Sequence, residues 1–100
     1  MSLTLFFYSS FDRSLHTLDR GQIEIVRRIL KALTVYYESN CSLEDAQKIE
    51  SRFFYKQLRK PYYEAGIENK IRVVIERVGS ECIAILAGNH DQVKRFLANQ

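Results

Sequence analysis

Several kinds of feature are scarce or missing in this 100-residue sequence, and each excludes a class of protein. It contains two cysteines and four glycines, and no apolar run approaches the roughly 18 residues of a membrane-spanning helix. Cys41 and Cys82 are too few for the disulfide framework of a small secreted protein, and they lack metal-ligand spacing. The glycines are isolated, which excludes a glycine-rich phosphate loop. The segment from Met1 to Tyr8 has no basic leader and no small-residue cleavage site, so a signal peptide is not expected.

The composition is that of one globular domain. Hydrophobic residues make up 46% of the chain and charged residues 27%, with a net charge of +3. A chain this apolar can bury enough surface to offset its ordering entropy, so we expect it to be folded rather than disordered. We expect residues 1–100 to form one cytoplasmic domain that makes no membrane contact.

The positive charge lies in the second half of the sequence. Residues 1–50 hold six Lys or Arg against seven Asp or Glu, and residues 51–100 hold nine against five, so the net charges are −1 and +4. Arg52, Lys56, Arg59 and Lys60 fall in a stretch without an acidic side chain. Such a stretch favours a polyanion or an acidic protein as partner, and a solvated charged surface is the alternative.

Hydrophobic periodicity in the first half predicts a strand followed by helices. The apolar run at residues 3–8 predicts a buried strand that ends at a helix cap in Ser9-Ser10. A short helix at residues 11–18 follows, and Asp19 then begins a capping box with Gln22 that starts a long helix. The two helices form an αα-hairpin, and Ser42 caps a further short helical segment. The long helix has one apolar stripe at Ile23, Val26, Leu30, Leu33 and Tyr37, and a second at Ile25, Ile29, Ala32 and Tyr36.

The second half has the period of strands. Extended segments are predicted at residues 52–58, 62–67, 70–78 and 81–87, with a type II′ hairpin turn at Gly79-Ser80. Asp91 is predicted to cap a closing helix whose buried stripe is Val93, Phe96 and Leu97. The sequence therefore predicts an α+β fold: an N-terminal strand and a helical hairpin packed on a small twisted antiparallel sheet, with a short C-terminal helix.

Two residues stand out chemically. His90 follows the last strand directly. A histidine at such a turn can act as an acid or base, or it can have no functional role and simply lie at the start of a capped helix. Arg72 interrupts an apolar run expected in a central strand, where a guanidinium needs an acidic partner or a cleft. With Lys56 and Arg59 it can form a phosphate-binding cluster, or it can simply pair with Glu76 or Glu64. His16 is expected to be a surface residue and Cys82 an inert core thiol.

Three stretches of the second half share short patterns with one known family. Residues 58–65 (LRKPYYEA), 71–75 (IRVVI) and 83–91 (IAILAGNHD) are similar to the patterns LRxPxYE, hRhhY and hhLhxhGHHDxhYR, where h is apolar. The chain therefore resembles the RelE/ParE toxin superfamily. The resemblance implies a RelE-like fold, an antitoxin as partner, and a metal-independent, cofactor-free endoribonuclease that cuts mRNA, with or without the ribosome.

The resemblance also implies roles for particular residues. Arg72 matches the strand arginine of the family's site and would stabilise the transition state, His90 would be the acid or base, and Lys56 would complete the catalytic set. RNA or phosphate contacts are expected from Arg59, Lys60, Lys94, Arg95 and Tyr62.

The sequence departs from the family pattern at two positions and leaves other functions open. Lys94 stands where the pattern has a tyrosine, and Asn89 stands where a histidine is frequent. A ParE-like inhibitor of DNA gyrase and a catalytically silent RNA- or protein-binding module are the alternatives, and a homodimer stays open.

Overall fold

The computed structural model describes residues 3–100, which form five strands and four helices. The strands are β1 (Thr4–Phe7), β2 (Phe54–Gln57), β3 (Tyr62–Gly66), β4 (Arg72–Val78) and β5 (Glu81–Gly88). The helices are α1 (Ser9–Leu15), α2 (Arg20–Glu38), α3 (Leu43–Ile49) and α4 (His90–Ala98). The strands lie in one sheet in the order β1-β5-β4-β3-β2, with β1 parallel to β5 and all other pairs antiparallel. The predicted α+β class is confirmed, and the sheet is mixed because of β1.

The expectation that the first strand is buried is wrong. β1 lies at the edge of the sheet, where among the strands of residues 3–100 it pairs with β5 alone, and Phe6 and Phe7 are 44% and 49% exposed. The helix after it begins at Ser9, and its N-cap is Tyr8, which makes no capping side-chain bond. The predicted capping serine Ser10 instead donates its hydroxyl to the Ile85 carbonyl at 2.7 Å, which ties α1 to β5.

The long helix α2 begins as predicted. The Gln22 amide donates to Asp19 Oδ1 at 2.8 Å, and the Asp19 amide donates to Gln22 Oε1 at 2.9 Å, which completes the capping box. The buried face of α2 takes members of both predicted stripes, because it lies between them. Its buried residues are Val26, Ile29, Ala32, Leu33 and Tyr37.

The two faces of the sheet carry different side chains, since neighbours along a strand point to opposite faces. On the face that we call the helix face, Val73, Ile75 and Ala84 join the main core with residues of α1 and α2. On the opposite face, which we call the open face, cross-strand pairing places Lys56 beside Glu64. Helix α4 crosses the open face, where the centres of the Phe96 and Tyr62 rings lie 5.0 Å apart with the rings nearly perpendicular.

The β4–β5 hairpin turns at Gly79-Ser80, as predicted. Gly79 has a φ of 61°, and Ser80 is not among the residues with positive φ, which is the combination that a type II′ turn requires. None of the helices within residues 3–100 is both long enough and apolar enough to span a membrane.

Candidate functional site

A buried carboxylate organises the open face. Glu64 is 4% exposed, and its Oε1 lies 3.3 Å from Arg72 Nε while its Oε2 lies 3.4 Å from Lys56 Nζ. Of the two acidic partners expected for Arg72, the structure selects Glu64, since Glu76 instead accepts a hydrogen bond from the Tyr8 hydroxyl at 3.1 Å. Two cations share one carboxylate, so the cluster, which we call the Glu64 cluster, keeps an excess of one positive charge.

The Arg72 guanidinium is held from several sides. Its Nη1 donates to the Glu68 carbonyl, and its central carbon lies 4.8 Å from the centre of the Phe54 ring. The Phe54 ring occupies the space beside Gly66, where a Cβ would come within 2.7 Å of it. Within residues 3–100, neither Nη2 nor Nε of Arg72 makes a hydrogen bond, since the contact of Nε with Glu64 Oε1 is an ion pair that leaves Oε1 without a hydrogen-bond donor. The guanidinium is therefore positioned by its Nη1 bond and by the Phe54 ring, and its Nη2 stays available as a donor to a ligand.

His90 lies at the first position of α4, and Asp91 is not the cap that the sequence predicted. Strand β5 continues to Gly88, one residue further than expected, so Asn89 falls at the N-cap. The Gln92 amide donates to Asn89 Oδ1 at 2.9 Å, and the Asn89 amide donates to Gln92 Oε1 at 2.7 Å. Gly88 makes room for this box, because a Cβ there would come within 2.5 Å of Gln92 Oε1.

His90 is exposed and separate from the Glu64 cluster. It lines an open depression together with Asn69, Lys70 and Ile71 of the β3–β4 connection. Because Arg72 pairs with Gly88 across the sheet, the histidine belongs to the same end of the sheet as Arg72. The structure records no hydrogen bond or ion pair between His90 and the described residues of the cluster.

Two predicted RNA contacts are engaged with helix α4. Arg59 Nη2 donates to the Leu97 carbonyl at 2.5 Å and lies 3.5 Å from the Gln100 carbonyl. The Tyr62 hydroxyl donates to Gln100 Oε1 at 3.1 Å. These two side chains therefore hold the C-terminal end of α4 on the sheet.

The remaining predicted contacts are exposed lysines and an arginine. Lys94 lies one turn after His90, so the two share a flank of α4. Arg95 lies elsewhere on the helix, in a depression with Ser14 and Leu86. Lys60 is exposed in the β2–β3 connection. The structure thus brings Lys56 and Arg72 together through Glu64, and the other predicted site residues make no recorded contact with this cluster.

The sequence did not reveal that Glu64 pairs with two cations at once. It also did not reveal that Phe54 packs on Arg72 in the space that Gly66 leaves. Glu64 was one of two acidic partners considered for Arg72, and only the register Lys56↔Glu64 and Glu64↔Val74 makes it the bridge between two cations. Cys82 is buried as expected, and burial raises the pKa of its thiol. Across residues 3–100, no three His, Cys, Asp or Glu side chains are arranged to hold a metal ion.

Comparison with known proteins identifies the fold. No family model matches the sequence, and no curated protein matches it. Solved structures do match: the RelB–RelE antitoxin–toxin complex of Methanococcus jannaschii aligns at a TM-score of 0.62 and 16% identity, over 91% of this chain and 96% of that one. A copper-bound mutant toxin from Helicobacter pylori aligns at 0.59 and 19% identity, over 91% and 98%. The E. coli DinJ–YafQ toxin–antitoxin complex aligns at 0.59 and 10% identity, over 93% and 98%.

The chain has the α+β fold of toxins from toxin–antitoxin systems. More narrowly, the fold is RelE-like, as the three sequence patterns implied. Because every identity quoted is below 20%, the likeness establishes the fold and does not establish an activity.

Proposed function

We propose that this chain is the toxin of a type II toxin–antitoxin pair and a metal-independent endoribonuclease that cuts mRNA, with its site on the open face. The observation that carries the proposal is the Glu64 cluster, in which Lys56 and Arg72 share a single carboxylate. Its positive excess suits a phosphodiester, which brings the missing negative charge. The RelE-like fold supports the same reading.

The proposed chemistry needs only the RNA and side chains of the protein. The 2′-hydroxyl loses its proton to a base, and its oxygen bonds to the adjacent phosphorus while the bond to the 5′-oxygen breaks. A proton then returns to the leaving oxygen. We assign the proton transfers to His90, because an imidazole can accept and donate a proton near neutral pH. Arg72 would neutralise the developing charge through its free Nη2, and Lys56 would hold a phosphate oxygen.

The other predicted contacts have unequal access to RNA. Lys60, Lys94 and Arg95 are exposed and would bind flanking phosphates. Arg59 and Tyr62 already donate hydrogen bonds to Leu97 and Gln100. They would contact RNA only through groups that these bonds leave unused. An antitoxin is the expected protein partner, since two of the similar structures are toxin–antitoxin complexes, and the ribosome would present the mRNA if cutting requires translation.

Induced expression in bacteria, followed by primer extension on a translated reporter mRNA, tests this function. The wild-type chain should arrest growth and create discrete new 5′ ends, and His90→Ala should abolish both. His16→Ala is the matched control, because His16 is also exposed and lies at the end of α1. Cleavage that persists in His90→Ala would reject the assigned role of His90. Growth arrest with intact message would reject the nuclease and favour a gyrase inhibitor.

One observation favours a second function, a catalytically silent RNA-binding module. Arg72 Nε pairs with Glu64, its Nη1 bonds the Glu68 carbonyl, and one face of its guanidinium lies against the Phe54 ring. His90 lies outside the Glu64 cluster. Binding of RNA that weakens steeply with added salt, without cleavage by the purified chain or on the ribosome, would select this alternative.

A further inference from the structure

The two edges of the sheet are protected very differently. The β2 edge carries Lys56, and Arg52 and Arg59 flank it in the sequence. Charged residues on an edge strand discourage pairing with another chain. The β1 edge has no such device, because residues 3–11 contain neither a charged residue nor a proline.

The backbone of β1 is free to pair along its outer side. The Thr4 amide donates inward to the Ser80 carbonyl at 3.1 Å, and the Tyr8 amide donates inward to the Ala84 carbonyl at 2.9 Å. Because backbone groups alternate sides along a strand, the N–H and C=O groups of Leu3, Leu5 and Phe7 point away from β5. This outward side is a template for one more strand.

Apolar surface lies on both sides of this template. Phe6 and Tyr8 are each 44% exposed, and Phe7 is 49% exposed. On the helix face, a groove runs between β1 and α2. Its strand side is apolar at Leu3, Leu5 and Phe7, and its helix side carries Leu30, Thr34, Tyr37 and the charged Glu38. A strand added here would gain hydrogen bonds and would also cover apolar side chains.

We propose that β1 pairs with β1 of a second copy of this chain, antiparallel and about a two-fold axis at Leu5. Facing residues of an antiparallel pair point to the same side of the sheet, so odd-numbered residues must face odd-numbered ones. In the register that pairs all of residues 3–7, Leu5 lies opposite Leu5 of the second copy and Leu3 lies opposite its Phe7. These are the residues with outward backbone groups, so the pairing makes six hydrogen bonds, two at Leu5–Leu5 and two at each of the two Leu3–Phe7 pairs.

Charge, side-chain pairing and closure favour a second copy over an unrelated strand. Every facing pair on the groove side is apolar, and β1 itself brings no charged residue to the pairing. The dimer is also closed, because the β2 edge with Lys56 is unsuited to continuing the sheet.

The area indicates a weak, concentration-dependent dimer. The half-exposed aromatic rings offer roughly 300 Å² per copy, from the 150–250 Å² that a fully buried aromatic residue covers. A standard stable interface uses about 800 Å² per partner. Backbone pairing and the groove residues add to the aromatic contribution, and the whole remains at the small end of specific interfaces.

Sedimentation equilibrium over a wide range of protein concentration tests the dimer. In the proposed register Thr4 faces Phe6 of the second copy. Thr4→Glu and Phe6→Lys should each raise the dissociation constant about tenfold, or 1.4 kcal/mol. The double variant should recover most of the loss, because it forms two Glu–Lys pairs between the copies. Ile49→Lys, which alters an equally exposed apolar residue on α3, is the control and should leave dimerisation unchanged.

Each alternative result overturns the proposal. A wild-type chain that stays monomeric at the highest soluble concentration has no such interface, even if the edge then captures a strand from another protein. A dimer that Phe6→Lys leaves intact lies elsewhere on the molecule. If the double variant dimerises no more tightly than either single variant, the proposed register is contradicted. Unchanged thermal unfolding of each variant verifies that the monomer remains folded.

Discussion

The two faces of the sheet are stabilised by different chemistry. Against α1, α2 and α3, the helix face buries aliphatic and aromatic side chains without any charged group. On the open face, Glu64 is the one buried charged residue among residues 3–100, and it lies between Arg72 and Lys56. The helix face therefore provides most of the stability, whereas the open face concentrates charge where α4 covers only part of the sheet. Substitutions on the two faces should therefore have separable effects.

The largest expected loss of stability is on the helix face. Phe53 is 1% exposed and its ring lies 5.9 Å from the Tyr36 ring, so Phe53→Ala removes apolar contacts and leaves a cavity. We expect the free energy of unfolding in urea to fall by about 4 kcal/mol. Leu43→Ala, at an exposed apolar position of α3, is the control and should cost well under half of that. Equal losses would contradict the assignment of the core to this face.

An intermediate loss is expected at the centre of the open face. Glu64→Gln keeps the size of the side chain and leaves Arg72, whose side chain is 16% exposed, without its counter-charge. Breaking a buried pair costs about 3–5 kcal/mol, and the partial exposure of Arg72 reduces the expected loss to about 2 kcal/mol. Lys56→Gln is the matched control, because Lys56 is largely exposed and its pair should contribute under about 1 kcal/mol. If the two variants lose the same stability, Glu64 is not the organising residue.

The smallest effect concerns two phenols at the border of the core. The Tyr37 and Tyr55 hydroxyls are 2.8 Å apart, and burial raises the pKa of both phenols above the ordinary value of 10.0. The unfolded chain loses these protons first as the pH rises, so the stability that they provide is complete below about pH 10 and declines above it. Urea unfolding from neutral to alkaline pH should show this decline.

Tyr37→Phe supplies the control for the alkaline prediction. It should cost about 1 kcal/mol at neutral pH, since one hydrogen bond is lost. It should also make the decline above pH 10 shallower, because one raised pKa is removed. Parallel pH profiles for the variant and the wild-type chain would show that Tyr37 does not contribute.

Local patterns were enough to predict most elements of the fold, and tertiary context decided the rest. The Asp19–Gln22 capping box and the Gly79-Ser80 turn depend on neighbouring residues, and both are present. The burial of β1 was predicted wrongly, since an apolar run does not reveal whether a strand is central or at an edge. The cap at Asn89 was missed because β5 runs one residue longer than its apolar pattern.

The candidate site was harder to predict, because it depends on strand register. Arg72 was singled out by its position in an apolar strand, and its acidic partner was narrowed to two glutamates. Only the pairing of β2 with β3 shows that Glu64 also holds Lys56. The hydrogen bond from Arg59 to the Leu97 carbonyl joins residues 38 positions apart. No pattern of neighbouring residues predicts such a contact.

The central claim is that RNA binds the open face. The most direct measurement is an NMR titration of the isotope-labelled chain with a short single-stranded RNA, recording backbone amide shifts at low and high salt. We expect the shifts to concentrate in β2, β3, the start of β4 and the His90–Lys94 flank of α4, and to vanish at high salt. Shifts confined to α2, α3 or β1, or none at low salt, would contradict it.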